Sequence, residues 1–539
     1  MDLLSSLSIA TSGLNAIEYQ YGVTSQNVSN QSTTGYVSET ATVTTGVVGG
    51  IGNGVRVGAT QLNINQALQS ALYAQNAQVA SDTAMDNSLT AVSAVQGSTS
   101  SNPGSTNTLA DQLGNVQSTL TSLIATPSQS VSQTAVIADA QSLAGTIHTL
   151  ASTYATQRQN AEDSIASTIP SINSDLTQIG VLSQQIVRLK TLGTDTADLE
   201  NQRLGIMSNL SSTLSVTFSQ TANGDMIVRT ADGTELPTRP DQIGQNDSSQ
   251  KLPSTTWPLG TTDSTLTPDM YYSGSGSSTL GIMLNGKDIT THLTGGTLGA
   301  NITLRDVTYP TMQAQLDSFS YTLVNRFNNA GLPLFTNGTD ATGTAVPQSS
   351  DPTQTTPAGI IGLSSAISVN TLYTATPSLL TTTTTDSMTG KTSAATSVAT
   401  GTATGDTTII QQVLNQAFGT SAQYISDLTS SGGPDLAAPT DDLGPDGTLS
   451  TGYTGQQGLL ALATALTSNQ GATIAASSNS LAASTSVQTV LAAKVADVSG
   501  VNVNDEMAKV VALQNAYTAN AKIVAAVQTM FTALLNAVN

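Results

Sequence analysis

The chain has 539 residues, room for about three or four domains at ~100 to 200 residues each. Fifteen basic against 35 acidic residues give a net charge of -20, and Arg56 is the only cation before Arg158, which argues against nucleic acid as a partner because phosphate contacts need clustered Lys and Arg. Charged residues make up 9% of the chain, against about 25% in an average soluble domain; Ser, Thr, Asn, Gln and Ala replace them, which suits packing among copies because a buried neutral hydroxyl or amide needs only a hydrogen bond.

The N-terminus begins Met-Asp-Leu-Leu and lacks the basic region, apolar stretch and cleavage site of a secretory signal, so any export is expected to leave it in place. Its first 28 residues carry an apolar seam at Leu3, Leu7, Ala10, Leu14, Ile17, Tyr21, Thr24 and Val28. This 4-3 spacing predicts a heptad helix that must find a partner helix. A polar connector from Asn27 to Tyr36 leads to a Thr/Val-rich strand ending near Val48. The glycine-rich stretch Gly49 to Val55 is not a dinucleotide fingerprint, because no βαβ rhythm surrounds it.

Helical spacing resumes at Leu68, Leu72, Val79, Met85, Leu89 and Val92, breaks from Gly97 to Gly104, and returns from Val136 to Leu192, where Pro170 is expected to kink or interrupt it. The period then changes to two at Leu214, Val216 and Phe218, with Asn223-Gly224 and Asp232-Gly233 as turns. A β-rich domain is expected from about 205 to 306, followed by helix at Leu316, Phe319, Leu323 and Phe327. Residues 336–405 are rich in Thr and Ser, including the run Thr381 to Thr385, with a more apolar patch from Ile360 to Val369, and predict an exposed insertion, partly ordered at best, from which Thr381 to Gly401 could be deleted if that patch is left intact. Helix returns at Ile409 to Phe418 and Gly471 to Val495. Asn502 then caps a last helix whose seam runs through Met507, Val510, Gln514, Tyr517, Ala521, Val524, Gln528, Phe531, Leu535 and Val538.

No cluster supports catalysis. Neither His148 nor His292 has a catalytic or metal-binding constellation of Asp, Glu and Cys nearby in sequence, Glu200 with Arg203 and Asp505 with Glu506 read as helix-end electrostatics, and Trp257 reads as core. Without a cysteine there is neither a disulfide nor a thiolate metal site. No cofactor or metal is expected, and the absence of a run of about 18 apolar residues predicts no membrane span.

Asn27-Val28-Ser29-Asn30-Gln31-Ser32-Thr33-Thr34-Gly35-Tyr36 resembles the signature of bacterial flagellar rod, hook and hook-associated axial proteins, on Asn27, Asn30, Thr33, Gly35 and Tyr36. Ile51 to Val57 is similar to the segment that follows it in the hook-associated branch, and Ser499 to Val524 resembles that family's last helix. Asp198 to Arg203 and Leu298 to Phe327, with Arg305 and Asp306, are similar to internal stretches of the same branch. The chain departs from the pattern at Val37-Ser38-Glu39, where a basic residue is common, and at Asn63 and Asn65, where Arg and Asp are usual.

The resemblance implies a non-enzymatic structural subunit at the hook-filament junction, outside the cell and exported through the flagellar type III channel. It also implies partners: further copies of the chain, the hook protein, hook-associated protein 3 and an export chaperone. The fold expected is α+β and multidomain. A terminal coiled coil (1–60 and 496–539) self-assembles through Leu3, Leu7, Leu14, Ile17, Tyr21, Met507, Val510, Tyr517, Val524, Phe531 and Leu535. A long-helix bundle (61–204, 307–335 and 406–495) carries the β-rich outer domain (205–306) and the Thr/Ser-rich insertion (336–405). The alternatives are a hook or distal rod protein, or a secreted adhesin or hydrolase with flagellar-type termini.

Overall fold

The computed structural model describes residues 3–33, 35–48, 51–97, 108–244, 251–262, 264–272, 280–336, 360–385, 392–397, 403–419 and 437–538. Helices dominate, with small antiparallel sheets between them. In chain order the helices are α1 (Leu3–Ser29), α2 (Gln66–Gln96), α3 (Leu109–Ala125), α4 (Ser130–Thr191), α5 (Ala197–Thr213), α6 (Gly296–Thr303), α7 (Tyr309–Asn329), α8 (Leu363–Ala366), α9 (Thr371–Ala375), α10 (Thr408–Gln416), α11 (Leu459–Ser499) and α12 (Val503–Val538).

Helix α4 is the spine. Its 62 residues span about 93 Å at 1.5 Å per residue, and its buried stripe serves two cores in succession. Val136 to Ala161 pack with α3, α7, α10 and the start of α11. Ile165 to Ile179 pack with α5 and the hairpin β5 (Val216–Gln220) and β6 (Met226–Thr230). Pro170 does not interrupt the helix. It removes one backbone donor, and the fully or nearly buried Ile165, Ile169 and Ile172 around it hold the backbone in place from the packed side. Gly180, on the same helix, meets the Thr238 backbone and the Arg239 side chain: an added Cβ would stand 2.3 Å from the Thr238 carbonyl oxygen. Gly180→Ala is therefore expected to lower stability by about 1 to 3 kcal/mol through overpacking, read as a lower urea midpoint at unchanged slope.

The strand-rich segment is shorter than the period-two spacing implies. Helix α5 continues to Thr213 and α6 begins at Gly296, so the alternation that starts at Leu214 lies just past a helix end. Asn223-Gly224 and Asp232-Gly233 do turn the chain, with φ of +98° at Gly224 and +95° at Gly233, between β5, β6 and β7 (Glu235–Leu236). Trp257 is buried. Between α6 and α7 the helix makes a π turn at Leu304–Thr308, which rotates Arg305 and Asp306 into the interior.

The Thr-rich insertion is not uniformly external. Among its described residues, Ile367, Val369, Tyr373, Leu379 and Leu380 belong to the main core, Ile360 joins a smaller cluster with Ala314, Leu443 and Leu449, and Leu363 is buried. Strand β13 (Thr382–Thr385) is the middle strand of a three-stranded sheet. Thr381, Thr382 and Thr383 are buried, and each hydroxyl has an acceptor: Pro127 O at 3.1 Å, Ser378 O at 2.8 Å and Asp406 Oδ2 at 2.7 Å. A threonine run satisfies its hydroxyls locally and packs its methyls, which composition alone does not reveal. Deletion of Thr381 to Gly401 therefore removes a core strand and is no longer expected to be tolerated; residues 337–359, 386–391 and 398–402 of the insertion lie outside the described residues.

Asp317 on α7 fixes this segment to the helices. Its carboxylate accepts from the backbone N–H groups of Gly362 (2.9 Å) and Ser364 (2.8 Å), the Ser364 hydroxyl (2.6 Å) and the Gln313 amide (3.0 Å). Burial pushes its pKa up to about 6 despite these donors. A raised carboxyl pKa means that the folded state holds the proton more tightly than the unfolded chain at about 3.9. The group's contribution then becomes more favourable as pH falls from about 7 towards 4, by about 2 to 3 kcal/mol. Urea midpoints of the parent minus those of Asp317→Asn should rise over that window; a flat difference would contradict the assignment.

Candidate assembly site

Helices α1 and α12 lie antiparallel, with Gly13 against Asn520. Both are mostly small and apolar, and their mutual seam is narrow. On α1, Ala10, Ala16, Ile17, Val23, Thr24 and Asn27 are buried. On α12, Val527 and Glu506 are buried, and Val510, Leu513, Asn520, Val524 and Phe531 are half-buried.

The anticipated seam is thus only partly the observed one. Leu7, Leu14 and Ile17 on α1 and Val510, Val524 and Phe531 on α12 are half-buried or buried. Tyr21, Met507, Tyr517 and Leu535 are exposed instead; the side chain of Leu3 is outside the described residues. The reason is that α12 is apolar on several faces, so a 3-4 path can be drawn along more than one of them and spacing cannot choose the one that meets α1. The consequence is an uncovered apolar surface: Met507, Val511, Ile523, Met530, Leu534 and Leu535 on α12, with Leu4 and Tyr21 on α1.

The end of α1 is locked to the bundle. Asn27, buried in the signature segment, donates to Glu39 O (2.8 Å) and accepts from Glu39 N (2.9 Å) and the Tyr36 hydroxyl (3.1 Å). Asn30 caps the turn, its amide donating to Gln26 O at 3.1 Å and its carbonyl accepting from Thr33 at 3.3 Å. Gly35 has φ of +79°, a left-handed conformation that side chains disfavour, and it reverses the chain so that Tyr36 reaches back to Asn27. Ser38 N donates to Ser499 O at 2.7 Å, tying both ends of the chain together.

Helix α5 supplies the second half of this lock. Asn201 accepts from Val37 N (3.0 Å) and donates to Val37 O (3.1 Å) and Glu39 Oε1 (2.7 Å). Asp195 accepts from Tyr19 and Thr60, and Asp198 from Gln26. Burial raises Asp195, but hydrogen bonds from Thr60, Tyr19 and the Ala197 N–H outweigh it and hold the carboxyl below its ordinary value. Burial pushes Glu39 up, with the Asn201 bond opposing and the charges of Asp198 and Asp195 adding. The departures from the family pattern fit this setting: Asn63 donates to Ser38 Oγ at 3.0 Å, and Asn65 caps α2 through the N–H groups of Ala67 and Leu68.

Arg203, Arg305 and Asp306 are brought to separate interior places rather than to a common site. Arg203 donates to Ser183 Oγ (3.1 Å) and Gly224 O (2.8 Å), holding the β5–β6 turn against α4. Arg305 pairs with Glu162 (2.6 Å) and, through both Nε and Nη2, with Asp306 (2.8 Å each); Arg158 donates to Arg305 O at 2.8 Å. Helical spacing alone does not mark Arg158 and Glu162, although charges set into the apolar stripe of α4 are a signal of buried pairing. Nothing local could have marked Asn201, whose partners lie 162 and 164 residues away.

His148 contacts Ile367 O at 2.5 Å and His292 pairs with Asp232 of the β6–β7 turn. No group of three or more His, Cys, Asp or Glu residues positioned to hold a metal occurs among the described residues. Among them, no helix is long and apolar enough to cross a membrane.

Residues 98–348, from the segment before α3 to beyond α7, match the model of the flagellar hook-associated protein FlgK helical domain. Over this stretch the chain is similar to flagellar hook-associated protein 1. Residues 496–537, which contain nearly all of α12, also match the C-terminal model of flagellar basal body rod FlgEFG proteins. Flagellar hook-associated protein 1 of Escherichia coli K12 is 26% identical over 234 residues, 42% of each chain. That of Salmonella typhimurium LT2 is 26% identical over 234 residues, 42% of this chain and 41% of its own. The match thus spans less than half the length of these relatives. The structure of the flagellar hook junction protein FlgK from Burkholderia pseudomallei aligns with a TM-score of 0.39 and 23% identity, covering 50% of this chain and 44% of that one. The proteins matched are hook-associated components of the flagellum.

Proposed function

We propose that the chain is a structural subunit of the junction between hook and filament, exported through the flagellar type III channel and assembled outside the cell through α1 and α12. The observation that carries this reading is the uncovered apolar surface of the terminal pair: exposed Met507, Val511, Met530 and Leu535 on a helix already bonded to one partner leave faces that require further helices. Copies of the chain supply such helices most simply, forming a ring or helical layer. The self-assembly residues would then divide, with Leu7, Leu14, Ile17, Val510, Val524 and Phe531 holding the pair and Tyr21, Met507, Tyr517 and Leu535 meeting neighbours.

In this reading residues 1–60 and 496–539 form the inner layer, the long helices with the packed part of 336–405 form the middle, and the strands between α5 and α6 face outward. The hook protein below, hook-associated protein 3 above and an export chaperone before secretion are the partners. Labelling the chain on intact cells is expected to mark the hook-filament boundary. Label along the hook, the rod or the whole filament would overturn the junction assignment.

A further inference from the structure

Between α1, α12 and strand β1 (Glu39–Thr40) lies a cavity of about 220 Å³, lined on its polar side by Gln20, Thr24, Glu39, Glu506 and Lys509. Two carboxylates belong to it, and both residues are only 4% exposed. Glu39 Oε1 accepts from Asn201 at 2.7 Å. Glu506 Oε1 accepts from Lys509 at 2.7 Å, but the Lys509 side chain is 54% exposed, and Glu506 Oε2 is buried without a hydrogen-bond partner. Asp198 and the Tyr36 hydroxyl lie near enough for their charges to be felt: after burial, the negative charges of Glu39, Asp198 and Glu506 push the Tyr36 hydroxyl well above its ordinary range. Lys509 is thus the one cation among the cavity's lining residues, against the two carboxylates of Glu39 and Glu506. A buried carboxylate oxygen without a partner is costly, and a further cation would offset that cost.

The terminal region offers few. Lys494 already pairs with Asp497 at 3.8 Å and Lys509 with Glu506; Lys522 on α12 is exposed and forms no ion pair among the described residues, but its ammonium lacks the planar fork that serves two carboxylates. Arg56 stands on strand β3 (Ile51–Val57) of the hairpin with β2 (Val43–Val48); it is exposed and forms no ion pair among the described residues. Its own cavity is out of reach, since the hairpin is fixed to α1 at Ser12, whose hydroxyl accepts from Val55 N at 3.0 Å. On α1 the cavity is lined by Gln20 and Thr24, about 12 to 18 Å further along the helix. A second copy displaced along the axis removes that mismatch.

We propose that the cavity between Glu39 and Glu506 receives the guanidinium of Arg56 from a second copy of the chain. The inference rests on the self-assembly reading above. A planar guanidinium can serve two carboxylates at once, and the pairing sets the axial stagger between copies that apolar helix faces alone leave loose.

The test is charge reversal in the bacterium that encodes the chain, measuring how much of it is recovered in isolated flagella. Glu506→Lys and Arg56→Glu are each expected to reduce recovery by about tenfold or more, the loss of a desolvated charge pair, and the double variant is expected to restore most of it. Glu506→Gln should also lower recovery, while the circular dichroism of the purified chain stays unchanged. Because the chain has no cysteine, Arg56→Cys and Glu506→Cys copies expressed together should be joined by a short bismaleimide in flagella. Single reversals that incorporate normally overturn the proposal. So does a double variant no better than Glu506→Lys, rescue by millimolar Mg²⁺ in place of Arg56→Glu, or flagella containing both cysteine variants without the cross-link. The self-assembly reading fails separately, when substitutions on the exposed apolar flank of α12 leave incorporation intact.

Discussion

Replacing Arg305 with methionine is expected to destabilise the helical core by about 3 to 5 kcal/mol, because it leaves two buried carboxylates without their cation. Arg305 is fully buried, its side chain 0% exposed against 1% for Glu162 and 8% for Asp306. All three of its donor nitrogens are used, one on Glu162 and two on Asp306. The π turn at Leu304–Thr308 makes this possible by turning Arg305 and Asp306 inward together. Burial already pushes Asp306 up, opposed by its hydrogen bonds and charge interaction with Arg305. Without the arginine, both carboxyls would bind protons more tightly in the folded state, so the variant should regain stability as pH falls from 7 towards 5. Urea midpoints at the two pH values test both statements. A second variant, Arg305→Met with Glu162→Gln and Asp306→Asn, should recover part of the loss at pH 7. A single-variant loss below about 1 kcal/mol would mean that the triad is solvated or replaceable.

Leu535→Asp and Met530→Asp are expected to abolish incorporation into flagella while leaving the purified chain's unfolding unchanged. Leu535 is 65% exposed and Met530 52% exposed in the single chain, so a polar replacement costs the monomer no more than about 0.5 kcal/mol. In the proposed layer the same side chains are buried, each contributing about 1.5 to 3 kcal/mol, and an aspartate there adds a desolvation cost. Val527→Asp is the contrasting variant: Val527 is 4% exposed against α1, and its replacement should loosen the terminal pair in the isolated chain as well. Circular dichroism with proteolysis of the purified variants, and filament attachment in cells, separate the two classes. Normal filaments on cells carrying Leu535→Asp with Met530→Asp would remove the exposed flank from the assembly mechanism.

What the sequence by itself determined was the set of strongly periodic helices. The 4-3 seam from Leu3 gave α1, and the cap at Asn502 gave the start of α12, whose first turn it holds through Asn504 N at 3.1 Å. The stripe from Val136 gave α4, and the Asn-Gly and Asp-Gly pairs gave the turns of β5 to β7. These are local signals: backbone hydrogen bonding and side-chain period act within a few residues, so they survive without knowledge of the rest of the chain. The family motifs were also legible, because Gly35 and Asn27 act through a turn of ten residues.

Only the tertiary structure decided which apolar face of α12 meets α1, since that helix is apolar on more than one side and the choice depends on where α1 and β1 stand. It decided that Thr381, Thr382 and Thr383 are core, because their hydroxyls find acceptors at Pro127, Ser378 and Asp406 that composition cannot supply. It decided that Asn201 and Glu162 matter, because a buried polar group is defined by a partner, and theirs are 143 to 164 residues distant. Long-range polar pairing and the selection of one packed face among several are properties of the assembled fold, with energies set by burial rather than by any spacing along the chain.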